Sequence, residues 1–160
     1  MIILGIDPGT ATTGFGVIKK EGNKLYPINY GCIETKPNTA MPDRLNEILK
    51  QTEKIIKKHK PEVMACEELF FFKNAKTVIT VAQARGVLVV AARKNMIPVF
   101  EYTPLQIKQA LTGYGRAEKE QMQKMVKILL SLDKIPKPDD AADALAVAIC
   151  HANSVKMNLV

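Results

Sequence analysis

The run Ile2 to Ile6 is apolar and rich in β-branched residues, and it stops at Asp7-Pro8-Gly9. That pattern predicts a short buried strand ending in a turn, with Asp7 at the strand's C-terminal end. Thr12 to Lys19 and Lys24 to Thr35 are two further β-rich segments, separated by Gly22-Asn23 in the manner of an antiparallel hairpin. From Asp43 to Lys58 the period changes. Leu45, Ile48, Leu49, Ile55 and Ile56 recur at helical spacing, and Lys50, Lys54, Lys57 and Lys58 fill the remaining faces, so an amphipathic helix is expected. Glu62 to Glu68 reads as a strand, Asn74 to Asn95 as a long helix and Ile97 to Tyr102 as another strand. The remainder reads as about three helical pieces broken near Gly113-Gly115 and Pro136-Pro138. The expected order is βββαβαβααα. A hairpin meander followed by alternating α and β implies an α/β fold: a mixed sheet with helices on both faces.

No internal repeat or low-complexity tract interrupts the pattern. Residues 1–153 are expected to form a single domain, with 154–160 as a short, fraying C-terminal tail. Within the long helix, Gly86 to Ala92 carries no polar side chain for nearly two turns, so it needs cover from a second direction as well as from the sheet. Either another helix of the chain or a second copy could supply it, and the reading favours a homodimer.

Charge narrows the choice of partner. The 160 residues hold 23 Lys and Arg against 16 Asp and Glu, a formal net charge of +7, which favours a polyanion such as nucleic acid. Basicity alone is a weak signal, since many lysines are merely solvated. The three cysteines, Cys32, Cys66 and Cys150, are odd in number, widely spaced and set in apolar contexts. They suggest a reduced protein of the cytoplasm rather than a disulfide framework or a metal site. The N-terminus has no basic leader and the longest apolar run falls far short of a membrane span, so no membrane association is expected.

Four acids fall where geometry can gather them: Asp7 at the end of the first strand, Glu67 at the end of the fourth, and Asp140 and Asp143 in the last helix. If the first and fourth strands are parallel neighbours, their C-terminal ends lie side by side, where open α/β sheets build their sites. Side chains alternate along a strand, so only one of Glu67 and Glu68 can share the side of Asp7, and spacing leaves that choice open. Asp140 and Asp143 are i and i+3 and share a helix face, with Cβ atoms about 5–6 Å apart. Such carboxylates repel one another by about 4 kcal/mol per pair at about 4 Å and an effective dielectric of about 20, which a cation relieves. All-oxygen ligands select hard ions such as Mg²⁺ or Mn²⁺. Two such ions about 3.5–4 Å apart suit phosphodiester hydrolysis. Each acid alone has a plainer reading, as a turn residue, a solvated strand end or a helix N-terminal aspartate.

Six segments change the weight of those readings. They are Ile3-Leu4-Gly5-Ile6-Asp7-Pro8-Gly9, Cys66-Glu67-Glu68-Leu69-Phe70, Gln83-Ala84-Arg85-Gly86, Phe100-Glu101-Tyr102, Ala117-Glu118-Lys119 and Asp140-Ala141-Ala142-Asp143-Ala144-Leu145-Ala146. In this order and spacing the chain resembles, over nearly its whole length, the RuvC family of crossover junction endodeoxyribonucleases. The resemblance implies a ribonuclease-H-like, five-stranded mixed sheet and a homodimer with one site per subunit. It also implies two Mg²⁺ ions per site, with Mn²⁺ able to substitute, and paired symmetric nicks across four-way junction DNA during recombination and repair. By the same resemblance the catalytic and metal-holding carboxylates are Asp7, Glu67, Asp140 and Asp143, which selects Glu67 over Glu68. Lys108 and Lys119 match family lysines near the scissile phosphate, and Phe70 matches the aromatic that meets bases at the junction centre. A branch-migration helicase complex is the implied partner.

Lys73, Lys76, Arg85 and Arg116 are read as phosphate contacts, against the ordinary alternative of solvated surface cations. His151 follows Asp143 by two helical steps of four, and a supporting or structural role is favoured over a ligand. Two other functions are weighed. One is a junction-binding module without catalysis, which the complete carboxylate set argues against. The other is a phosphate-binding domain related to the actin-like ATPases, suggested by Asp7-Pro8-Gly9-Thr10 and the following Gly14-Phe15-Gly16. Those enzymes close two such domains over a nucleotide, and this chain has room for one.

Overall fold

The computed structural model describes residues 1–69 and 75–157, the side chains of residues 75, 76, 156 and 157 excepted. Ten elements follow in the expected order: β1 (Ile2–Asp7), β2 (Thr12–Glu21), β3 (Lys24–Glu34), α1 (Met41–His59), β4 (Val63–Glu67), α2 (Ala75–Lys94), β5 (Val99–Tyr102), α3 (Pro104–Thr112), α4 (Lys119–Leu129) and α5 (Asp139–Met157). The five strands make one mixed sheet in the order β3-β2-β1-β4-β5. β1 pairs antiparallel with β2 and parallel with β4.

Side-chain alternation along the strands divides the apolar residues between two layers. Leu4, Ile6, Val17, Ile33, Met64 and Cys66 join Ile48 and Ile56 of α1 and Leu88, Ala91 and Ala92 of α2 in one core. Ile3, Ile18, Val63 and Ala65 join residues of α3, α4 and α5 in the other. Odd-numbered residues of β1 therefore face α5, and Asp7 continues that side past Ile3 and Gly5.

Local differences from the expected boundaries have local causes. α1 begins at Met41 rather than Asp43 because Pro42 sits in its first turn, where a missing N–H breaks no bond. β5 starts late, at Val99, after Met96 reverses the chain with φ of 59°. α5 runs past Ser154, whose Oγ donates to the Cys150 carbonyl, so the tail expected from residue 154 is helical as far as Met157. Among the described residues no helix is long and apolar enough to cross a membrane.

α2 is the apolar helix whose second cover was in question. Ala84, Leu88, Ala91 and Ala92 are buried in the core, while Ile79 and Val90 are 60% and 54% exposed on the outer face. Gly86 is exposed between them.

Candidate active site

Register places one row of residues across the whole sheet. Cys32 of β3 pairs with Gly14 of β2, and Gly14 pairs with Asp7 of β1. Ile6 pairs with Cys66, so the next step along both strands sets Asp7 beside Glu67, which itself pairs with Tyr102 of β5. Glu67 thus shares the side of Asp7 that faces α5, whereas Glu68 lies beyond the strand and is exposed. The choice that spacing left open is made by the parallel register.

α5 descends on this row at its N-terminal end. A Cβ on Gly14 would stand 2.0 Å from the Asp140 carbonyl oxygen, and one on Gly5 would stand 2.1 Å from that of Ala144. Glycine at these two strand positions lets the helix backbone lie directly on the sheet. Asp140 and Asp143, one helical turn apart, are carried down onto Asp7 and Glu67. The loop after Asp7 is pinned, with Thr13 Oγ1 donating to the Gly9 carbonyl at 2.6 Å and the Thr35 N–H to that of Ala11 at 3.0 Å.

Burial and mutual charge control the protonation of this group. Burial pushes the Asp7 carboxyl up to about 7, and the charges of Asp143, Glu67 and Asp140 push in the same direction, with Lys119 opposing. Glu67 is raised by burial and by Asp143, against Lys108. Asp143 is raised by burial, against Lys119. Burial works to lower Lys119, but Asp143 and Asp139 outweigh it and hold its ammonium charged to higher pH. The Cys32 thiol, also facing this end, is pushed up to about 11 by burial and the charges of Asp140 and Glu34, so it stays protonated at neutral pH.

Lys108 and Lys119 rim the same opening. With Glu67 and Asp143 they line a cavity of about 220 Å³ whose apolar wall includes Ile107 and Met122. Lys119 Nζ lies 3.2 Å from Asp143 Oδ2 and 3.4 Å from Asp139 Oδ2. As they stand, no three acidic, histidine or cysteine side chains converge closely enough to enclose an ion among the described residues. The donor chemistry nonetheless fits a hard divalent ion, being all carboxylate, with Asp7, Glu67 and Asp143 raised first by burial and then by neighbouring acids.

Other residues singled out from the sequence are distributed differently. Arg85 lies on the α2 side of the sheet, away from the carboxylate row, and its guanidinium pairs with Glu101. Its Nε is buried without a hydrogen-bond acceptor, and the guanidinium lies against the Cys66 thiol. Arg116 is exposed in the loop between α3 and α4, with no ion pair among the described residues. Phe70 and Lys73 lie outside the described residues, and Lys76 is placed only as a position in α2.

His151 does not join the carboxylates. It is 2% exposed, and its Nδ1 meets the Tyr102 hydroxyl at 2.7 Å while its ring packs 4.6 Å from that of Phe100. This contact ties α5 to β5 next to Glu67. The Tyr102–His151 bond and the Asp139–Lys119 pair were missed in the sequence, because neither follows from a local pattern. The glycines of β1 and β2 were a usable signal of close backbone approach. Tyr102→Phe should lower the unfolding free energy by about 1–3 kcal/mol, because it strands a buried imidazole nitrogen. Urea denaturation of the two proteins measures this, and parent-like stability would show the bond to be dispensable.

Comparison with known proteins gives the arrangement a context. The model of the family described as crossover junction endodeoxyribonuclease RuvC matches residues 3–151. The crossover junction endodeoxyribonuclease RuvC of Desulforamulus reducens is 60% identical over 152 residues, covering 95% of this chain and 93% of the relative. That of Desulfitobacterium hafniense is 57% identical over 157 residues, covering 98% and 95%. Among solved structures, Thermus thermophilus RuvC in complex with Holliday junction substrate superposes with a TM-score of 0.94 at 36% identity, covering 99% of this chain and 96% of that one.

Proposed function

This chain belongs to the RuvC family of crossover junction endodeoxyribonucleases, and we propose that its carboxylate row is where a four-way DNA junction is cut. One observation carries the reading. Asp7 and Glu67 end adjacent parallel strands beneath Asp140 and Asp143, and Lys108 and Lys119 stand at the rim of the same cavity.

Asp7, Glu67, Asp140 and Asp143 would hold two divalent cations, Mg²⁺ or Mn²⁺. Bound there, the ions supply an activated water and stabilise the departing oxygen of the phosphodiester. The chain's own groups do the rest. Burial and then repulsion among the carboxylates raise Asp7, and a bound cation would offset both, which favours its uptake. The two ammoniums hold the scissile phosphate and offset the charge that develops on it. A binding module without catalysis would have no use for buried acids that destabilise one another.

Paired cuts need paired sites, and the reading includes a homodimer formed through α2. Its outer face offers Ile79, Gly86 and Val90, and the glycine permits close approach of a second helix. The role is resolution of Holliday junctions in recombination and DNA repair. A junction nuclease cuts where the crossover stands, so a branch-migration helicase that moves the crossover is the proposed partner. The cytoplasm is the proposed location, which suits three free thiols.

Cleavage of a synthetic four-way junction tests the function: nicking in Mg²⁺ or Mn²⁺, none in EDTA and none with Glu67→Gln. Nicking that survives EDTA would overturn the metal assignment. Lys108→Ala and Lys119→Ala should each slow single-turnover cleavage by about 10²-fold while weakening junction affinity modestly, since each supplies charge to one phosphate among many. A rate within twofold of the parent would remove that lysine from the site.

A further inference from the structure

We propose that Tyr114, in the loop between α3 and α4, is a fixed platform on which an exposed base at the junction centre stacks, with Arg116 holding an adjoining phosphate. The inference rests on the junction reading above and adds a base-binding position to it.

The loop is held while its aromatic side chain is left out. α3 ends in Gly113, whose φ of 71° turns the chain in a conformation glycine adopts without strain. Thr112 Oγ1 then accepts the Tyr114 N–H at 3.1 Å and donates to the Tyr114 carbonyl at 2.9 Å. The Ala117 N–H reaches the same carbonyl at 3.3 Å, and Ala117 itself is buried as an anchor. Gly115 lies so close over α3 that a Cβ there would come within 2.3 Å of Leu105 Cδ1. Backbone on both sides of Tyr114 is therefore fixed.

Tyr114 nevertheless remains 58% exposed, more than any other aromatic residue described. A scattered exposed apolar residue needs no explanation. This one has particular surroundings. In the chain it stands in the loop that joins the helix of Lys108 to the helix of Lys119, two residues that line the carboxylate cavity, and it precedes Arg116, an exposed guanidinium without an ion pair among the described residues. A tyrosine on a held backbone has only two χ angles left to order on contact, and every base offers a π-face, so stacking suits a junction of variable sequence. A planar, permanently charged guanidinium beside it suits phosphate.

The test uses the full chain, a four-way junction with 2-aminopurine at its central positions, and a linear duplex of the same sequence, all in Ca²⁺. The parent and Tyr114→Phe should change the 2-aminopurine fluorescence at a central position. Tyr114→Ala should lose that signal and bind the junction about 5- to 100-fold more weakly, with duplex binding and melting temperature unchanged. Arg116→Ala should weaken both complexes and reduce their salt dependence. The proposal is overturned if Tyr114→Ala keeps the parent's signal and affinity, if Tyr114→Phe fails as fully as Tyr114→Ala, or if the loss is equal on the duplex. A parent that neither binds nor cuts junctions would instead overturn the functional reading itself.

Discussion

Asp7→Asn should abolish junction cleavage, by at least about 10³-fold, and at the same time raise the melting temperature of the metal-free protein. The activity loss follows from removing a charged ligand and one wall of the carboxylate row. The stability gain follows from the position of the native titration. Asp7 titrates at about 7 in the fold against 3.8 for an ordinary aspartate, so the folded state holds a proton that the unfolded chain gives up. Stability linked to that proton is fully present below about pH 4 and is lost as pH rises to about 7, an effect on the order of 4 kcal/mol at most. Asparagine is nearly isosteric and does not titrate. The difference in melting temperature between the two proteins should therefore grow between about pH 4 and pH 7 in EDTA and then level off. Saturating Mg²⁺ should narrow or reverse it, because the parent gains more from the ion. Melts across pH, with and without Mg²⁺, read all of this. A variant less stable than the parent in EDTA at pH 8 would make Asp7 a structural strand end.

Gly14→Ala should be the most damaging small substitution in the site, although no chemistry is removed. The new methyl would occupy space 2.0 Å from the Asp140 carbonyl oxygen and 2.5 Å from its carbon, both backbone atoms. Backbone cannot swing aside as a flexible side chain can, so α5 must lift from the sheet. Overpacking of this kind costs typically about 1–3 kcal/mol and occasionally more. Lifting α5 also carries Asp140 and Asp143 away from Asp7 and Glu67, and a displacement of about 1 Å in a catalytic constellation can reduce rate by about 10²-fold. Urea denaturation and single-turnover cleavage should both show large losses. A Gly14→Ala protein with parent-like stability and rate would mean that α5 does not rest on β2 as described.

The order of elements was legible because each carries its own local signal. β-branched runs mark the strands, Gly22-Asn23 the hairpin, and a stripe at helical spacing α1. The adjacency of Asp7 and Glu67 was legible one step further on, since a strand, a helix and a second strand imply parallel neighbours with aligned ends. Glu67 against Glu68 was legible only through the family resemblance and not from spacing, because alternation fixes parity only once the register is known. The pairing of Ile6 with Cys66 supplies that missing fact. Contacts between distant segments were the least legible. Tyr102 and His151 lie 49 positions apart, and nothing around either residue encodes the bond between them. Arg85 shows the same limit from the other side. Arginine in a basic chain invites a reading as a phosphate contact, and the pairing of Arg85 with Glu101 on β5 is encoded by no local pattern. Lys108 and Lys119 gained their places at the site through family resemblance, and the fold sets both on one cavity with Glu67 and Asp143.

The central claim is that this carboxylate row cuts four-way junctions in opposed strands, and mapping the cuts at nucleotide resolution tests it most directly. Each strand of a mobile synthetic junction would be end-labelled in turn and incubated with the protein in Mg²⁺, beside a linear duplex of matching sequence. The account predicts nicks at symmetry-related positions in two opposed strands, none in the duplex, and none anywhere with Asp7→Asn. Nicks in the linear duplex at a comparable rate, or unpaired nicks scattered through all four strands, would contradict it.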